Sequence, residues 1–182
     1  MTKDIQNRTR LLFDRLQRLI VSEDWADDLN PAQRSALSYL ARANRFSRSP
    51  SNVADYLCTT RGTASQTLKS LEKKGMTQRG EIDGDNRAVT YDVTKEGHAL
   101  IGKDDALDRA LGSIAKEKVD ALDDALADLL TMQLEARSFR SFGICRTCIH
   151  HETDGKRLYC RLLEIPLKRE EADLICHEHK AA

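Results

Sequence analysis

No run of apolar residues in this chain approaches the roughly 18 needed to span a bilayer. The opening stretch MTKDIQNRTR has no apolar segment of the kind a secretory signal uses. A membrane role is thereby excluded, and the cytoplasm is the expected compartment. Internal repeats and low-complexity segments are absent from the 182 residues. So are a glycine-rich phosphate loop, a nucleophile elbow and a His-Glu-x-x-His pair, and the chain is not expected to be an enzyme. Net charge is missing too, since 29 Lys and Arg balance 29 Asp and Glu. What remains is a composition of 40% apolar and 32% charged residues, that of a water-soluble domain with a small appendage.

The charge balance hides a split. Between Arg42 and Arg87 nine basic residues face five acidic ones, whereas between Lys103 and Asp128 four basic residues face eight acidic ones. Such asymmetry points to a polyanion partner at one end of the molecule, although two unrelated solvated faces would give the same counts.

Local patterns order the elements. IQNRTRLLFDRLQRLI places Ile5, Leu12, Leu16, Leu19 and Ile20 on one helical side. In LNPAQRSALSYLARA, Asn30 is an N-cap, Pro31 the first helical residue and Gln33 the third, with Leu37, Leu40 and Ala41 as the buried stripe. NRFSRSP reads as a loop, and Ser49 with Pro50 opens a short helix by the same logic. TTRGTASQTLKSLEKKG then runs from a Thr60 cap to Gly75, with Ala64, Leu68 and Leu71 inward and Gly62, Ser65, Gln66, Lys69 and Lys73 outward. After Gly75 the period changes to two: MTQRGEI and RAVTYDV read as strands around the turn DGDN. The stretch from Thr94 onward returns to helix, bent near Gly112–Ser113, with Leu107, Leu111, Ile114, Leu122, Leu126, Leu129, Leu130 and Leu134 as its apolar face.

Two short helices joined by a tight turn and followed by a basic hairpin make a winged helix-turn-helix, a shape that suits duplex DNA. The candidate contacts are Arg61, Thr63, Ser65, Gln66 and Lys69 on the second helix and Arg79, Asp85 and Arg87 on the wing. The helix fits the major groove, and Arg87 suits the narrow minor groove beside it, held in a reaching rotamer by Asp85. The Asp85-Asn86-Arg87 wing and the VTKEG that follows it closely resemble the MarR family of bacterial transcriptional regulators, over about residues 10 to 135. That resemblance implies a homodimer joined through its first and last helices, bound to a pseudo-palindromic operator. Most such proteins repress, and a small-molecule inducer or thiol chemistry releases them. The leucine-rich C-terminal helices point to a dimer independently, being more apolar than a compact winged helix can bury.

Four of the five cysteines stand in the last forty-odd residues: Cys145-x2-Cys148, then eleven residues to Cys160 and fifteen to Cys176. In a reducing cytoplasm clustered cysteines are metal ligands before they are disulfides. Four thiolates suit zinc or an iron–sulfur cluster, and so polar a tail needs a staple to fold. YCRLLEIP and the wide second and third gaps loosely resemble high-potential iron–sulfur proteins over about thirty residues, which favours a [4Fe–4S] cluster slightly over zinc. His150, His151, His177 and His179 are read as solvent-facing. Cys58, before the second helix of the pair, is read as a small packed side chain, with a redox thiol as its alternative.

The expected fold is mainly α with a small β-hairpin wing: a dimerisation helix (1–28), a winged helix-turn-helix (29–94), further dimerisation helices (95–138) and a four-cysteine metal-binding extension (139–182) attached to them. The expected function is a homodimeric DNA-binding regulator, a repressor by the family resemblance, whose metal site senses redox, oxygen or iron. Two rivals stand beside it. One is a structural zinc tail with a small aromatic ligand as the signal, and the other is an electron carrier or docking module that ignores DNA.

Overall fold

The computed structural model describes residues 3–23, 28–82, 85–102, 106–155 and 157–181, and of residues 23, 81, 82 and 85–88 the backbone alone. After α1 (Lys3–Glu23), side-chain caps set the helix starts. Asn30 Oδ1 accepts from the Gln33 amide at 2.9 Å and Gln33 Oε1 accepts from the Asn30 amide at 3.1 Å, opening α2 (Pro31–Arg42). Ser49 and Thr60 cap α3 (Pro50–Tyr56) and α4 (Arg61–Lys73) in the same manner. Gly75, at φ 71°, ends α4: its amide donates to the Glu72 carbonyl and that of Met76 to Leu71, satisfying carbonyls the helix leaves open.

The wing is the antiparallel pair β1 (Thr77–Ile82) and β2 (Asp85–Val93), in the register Gln78↔Asp92 and Arg79↔Tyr91. A register shift lies between Gly80 and Ile82, and β2 begins at Asp85, two residues earlier than the sequence turn suggests. Thr94 then caps α5 (Lys95–Ile101), and its hydroxyl also donates to the carbonyls of Gly75 and Met76. This is the physical content of the TKEG motif. A Cβ on Gly97 would fall against the Met76 carbonyl and within 2.7 Å of Val93 Cγ1. Gly97→Ala is therefore expected to cost about 1–3 kcal/mol, read as a lower urea midpoint by circular dichroism. An unchanged midpoint would mean that the strand and helix part freely here.

The core is one cluster: Leu37, Tyr39 and Leu40 of α2, Val53 and Ala54 of α3, Ala64, Leu68 and Leu71 of α4, and Tyr91 of β2. Ala41, expected in that stripe, is only half-buried, and Ala36 is buried instead, one turn of the stripe nearer α4. The C-terminal helical stretch is interrupted twice. It ends at Ile101 with Gly102 as cap, resumes as α6 (Ala106–Ser113) and resumes again as α7 (Lys116–Ala136). The second interruption is the bend expected near Gly112–Ser113. Among the described side chains neither α1 nor α7 buries a residue within the chain, and Leu12, Leu16, Leu126 and Leu130 are all exposed.

The tail departs most from expectation. It forms β3 (Gly143–Ile144) paired with β7 (Ile175–Cys176), and a meander of β4 (His151–Asp154), β5 (Arg157–Cys160) and β6 (Ile165–Leu167). Rather than extending α7, it turns back onto the corner between α2 and α3. The Asn44 amide donates to the Ile175 carbonyl at 2.9 Å, Ala43 bridges Ile175, and the Ile175 side chain joins the winged-helix core. Phe142 sets its ring edge-on against Tyr39 and Tyr56, at centroid distances of 6.0 and 5.3 Å. Ile175 and Phe142 find apolar cover there, whereas Phe139, Ile144, Ile149 and Tyr159 of the tail stay exposed.

Candidate nucleic-acid interface and cysteine cavity

The inward residues of α4 anchor it so that Arg61, Gly62, Thr63, Gln66, Lys69 and Lys73 face solvent, while Ser65 is half-buried. The Thr63 hydroxyl lies 2.8 Å from that of Thr60, so it belongs to the helix cap as much as to the surface. In the wing, Arg79 Nε stands 3.3 Å from Glu72 Oε1 of α4 and ties the base of the hairpin to the helix. It remains mostly exposed, and the pairing leaves a donor edge for a phosphate. Asp85 and Arg87 lie at the distal end of the hairpin by their place in β2; their side chains lie outside the described residues. One helix face and one hairpin thus border a common polar, largely basic surface.

The second constellation is in the tail. Cys145 and Cys148 of one 3-10 turn, Cys160 at the end of β5 and Cys176 at the end of β7 line one cavity of about 10 Å³ together with His150, His151 and Leu162. All four are free thiols. Burial, then the neighbouring sulfurs of Cys176, Cys160 and Cys148, push the Cys145 thiol up to about 11. Burial raises Cys176 too, against a lowering hydrogen bond from the Asn44 side chain. Donors reach the sulfurs: the Lys180 amide donates to Cys148 Sγ at 3.5 Å, and His151 Nδ1 lies 3.6 Å from Cys145 Sγ. Among the described residues, no three or more His, Cys, Asp or Glu side chains are already gathered as the shell of a metal ion. The thiols share a cavity without being closed on one centre. Zinc would require the sulfurs to converge to about 2.3 Å from it, whereas the larger cubane would require the cavity to widen.

The four histidines are not solvent-facing. All are half-buried, His150 and His151 against the cysteine cavity. Burial lowers the pKa of His177 and of His179, favouring neutral imidazoles. His150 Nε2 and His179 Nδ1 are buried without a protein partner among the described residues. Cys58 departs from expectation in the opposite direction. It is exposed, at φ 51° in the left-handed region, because the chain reverses there between α3 and α4.

Sequence reasoning passed over Asn44, Ser47 and Arg48, which stand between the cysteine cavity and the wing. The pair Asn44-x-x-Ser47 has the form of a cap, and Asn44 indeed caps a 3-10 turn, Arg45–Ser47.

Residues 27–88 match the family model described as MarR family. The HTH-type transcriptional regulator PecS of Dickeya dadantii (strain 3937) is 32% identical over 98 residues, 53% of this chain and 57% of that protein. The chain thus aligns with little more than half the length of this curated relative. Among solved structures, the S. aureus MepR–DNA complex aligns with a TM-score of 0.54 at 18% identity, over 71% of this chain and 97% of that one. Streptococcus pneumoniae FabT in complex with DNA aligns with a TM-score of 0.55 at 19% identity, over 74% and 98%. At such identities these structures establish the fold. The family and the named relative are transcriptional regulators, not enzymes, and no helix among the described residues is long and apolar enough to cross a membrane. By fold, residues 27–88 form a winged helix-turn-helix, and over those residues the chain is similar to the MarR family.

Proposed function

We propose that this chain is a sequence-specific DNA-binding transcriptional regulator, a repressor acting as a homodimer, with a metal centre held by its four tail cysteines. The observation that carries the DNA reading is the exposed polar face of α4 with Gln66 and Lys69 at its middle, bordered by the hairpin base that carries Arg79. A helix presented in this way fits the major groove, where an amide side chain reads base edges and an ammonium holds phosphate. The two structural neighbours solved with DNA share this fold.

Anisotropy titrations with duplex from the chain's own promoter region, at several salt concentrations, test it directly. Neutralised phosphates give a negative salt slope, and Lys69→Ala is expected to weaken binding evenly across sequences and to reduce that slope by about 1. Salt-independent binding, or none, would favour the docking-module alternative.

The metal reading rests on four thiols from distant positions meeting in one cavity. Buried thiols with raised pKa ionise only beside a compensating cation, and hydrogen bonds to the sulfurs are what support thiolate ligands. Cys145, Cys148, Cys160 and Cys176 would hold the group, a [4Fe–4S] cluster ahead of zinc on the sequence gaps. A cluster would supply a one-electron redox response; zinc would supply rigidity alone. Iron, sulfide and zinc analysis of protein purified without air decides between them, with the brown colour of a cluster as a direct sign. Protein free of both would end the metal reading and leave the DNA reading standing.

A further inference from the structure

The segment Ala43–Arg48, between α2 and α3, is bonded on one side to the cysteine cavity and on the other to the wing. On the cavity side Asn44 and Ser47 are both buried. Asn44 Oδ1 accepts from the Phe46 amide at 3.2 Å and from the Ser47 hydroxyl at 2.7 Å. The same side chain stands beside Cys176. Ser47 Oγ in turn accepts from the backbone amide of His177, the residue after Cys176, at 3.0 Å. The backbone is joined as well, through the Asn44 amide and the Ile175 carbonyl.

On the wing side the next residue, Arg48, is fixed three times. Its Nε donates to the Ala43 carbonyl at 3.0 Å, its guanidinium reaches Asp92 Oδ1 at 2.6 Å, and its carbonyl accepts from the Tyr91 amide at 3.1 Å. Tyr91 and Asp92 sit opposite Arg79 and Gln78 in the hairpin. Tyr39, a core residue of α2, donates its hydroxyl to the Ser47 carbonyl at 2.7 Å and locks the same corner to the helix layer. A six-residue corner therefore connects β7, the strand that carries Cys176, to the second wing strand, entirely within one chain.

We propose that the state of the cysteine centre sets DNA affinity through this corner: a loaded centre holds β7, Asn44 and Ser47 in place, and Arg48 then holds the wing against α4 in its DNA-reading position. The proposal rests on the reading of the four cysteines as a metal centre and names how that centre is read out. Asn44, Ser47 and Arg48 are positioning residues, acting on the wing and not on DNA. The physical requirement is differential binding, because a centre shifts the wing only if it is held more tightly with the corner ordered than with it loose. Cys176 and Ile175 belong to the same two-residue strand that the corner bonds, so a centre that holds Cys176 also holds the corner. Release of the sulfurs frees β7, and with it the cavity side of the corner.

The test compares full-length protein purified without air, carrying the metal it holds, with the same protein stripped by a chelator, each titrated with promoter duplex. The loaded form is expected to bind about tenfold tighter, within the usual range of coupling between two sites. Ser47→Ala removes the side-chain contacts to Asn44 and His177 on the cavity side, and Asp92→Asn removes the charge that holds the Arg48 guanidinium on the wing side. In both variants the metal content per chain stays at the wild-type value while the loaded-to-stripped difference shrinks to within about threefold. Equal affinities of loaded and stripped wild type would overturn the coupling while the metal centre stands. An undiminished difference in Asp92→Asn would overturn the route through Arg48. Protein that binds no metal as purified would remove the centre itself, and the coupling with it.

Discussion

Ile175→Ala is expected to destabilise the winged helix by about 2–4 kcal/mol, although the residue lies more than eighty positions beyond the end of the wing. The expectation follows from burial. Ile175 is a member of the same cluster as Leu37, Leu40 and Val53, and its truncation leaves a hole lined by α2 and α3. Surrounding side chains collapse into such a hole only partially, and the residual cavity adds to the lost transfer energy. Phe142→Ala should show a related loss, because its ring closes the Tyr39–Tyr56 pair, whose centroids are 4.3 Å apart. Urea unfolding followed by the far-ultraviolet signal of the helices measures both. A tail that merely hangs from α7 would leave the helical transition unmoved while the tail alone loosened. That result would refute the docked arrangement.

The winged helix was legible in the sequence because its determinants are local. Asn30, Ser49, Thr60 and Thr94 each accept from an amide three residues on, and Gly75 needs only its own backbone angle. Ala64, Leu68 and Leu71 are buried as the helical period requires. The seat of the tail was not legible, since it depends on a two-residue strand meeting Ala43, a pairing with no periodic signature. The histidines illustrate the same limit. Their number and crowding were plain, but which of them line a cavity depends on how β4 and β7 meet, and no residue pattern encodes that. Among the site residues, the outward face of α4 followed from spacing, whereas the connection through Asn44, Ser47 and Arg48 joins elements separated by 130 residues in the case of Ser47 and His177. Such partners emerge only from the folded chain.

Leu126→Asp together with Leu130→Asp is expected to produce a monomer that folds normally and binds promoter duplex about 10²–10⁴-fold more weakly. Both leucines are exposed on α7, which buries none of its own residues within the chain, and α1 presents Leu12, Leu16 and Leu19 equally uncovered. Two apolar helices of 21 residues each, left bare, form a larger patch than a solitary soluble chain keeps in water. A second copy covers them on our reading, with the partner's helices as the complement. Charged side chains placed four residues apart on that stripe would lose their hydration on assembly without gaining a partner, a penalty of several kcal/mol. The winged-helix core does not include either residue, so its unfolding midpoint should hold. The loss of affinity follows from geometry: one winged helix grips one half-site, and without a tethered second copy the gain in effective concentration vanishes. Sedimentation equilibrium and anisotropy on the same samples separate the two effects. A double variant that stays dimeric would move the interface to another surface, and a monomer of full affinity would show that a single winged helix suffices to hold the site.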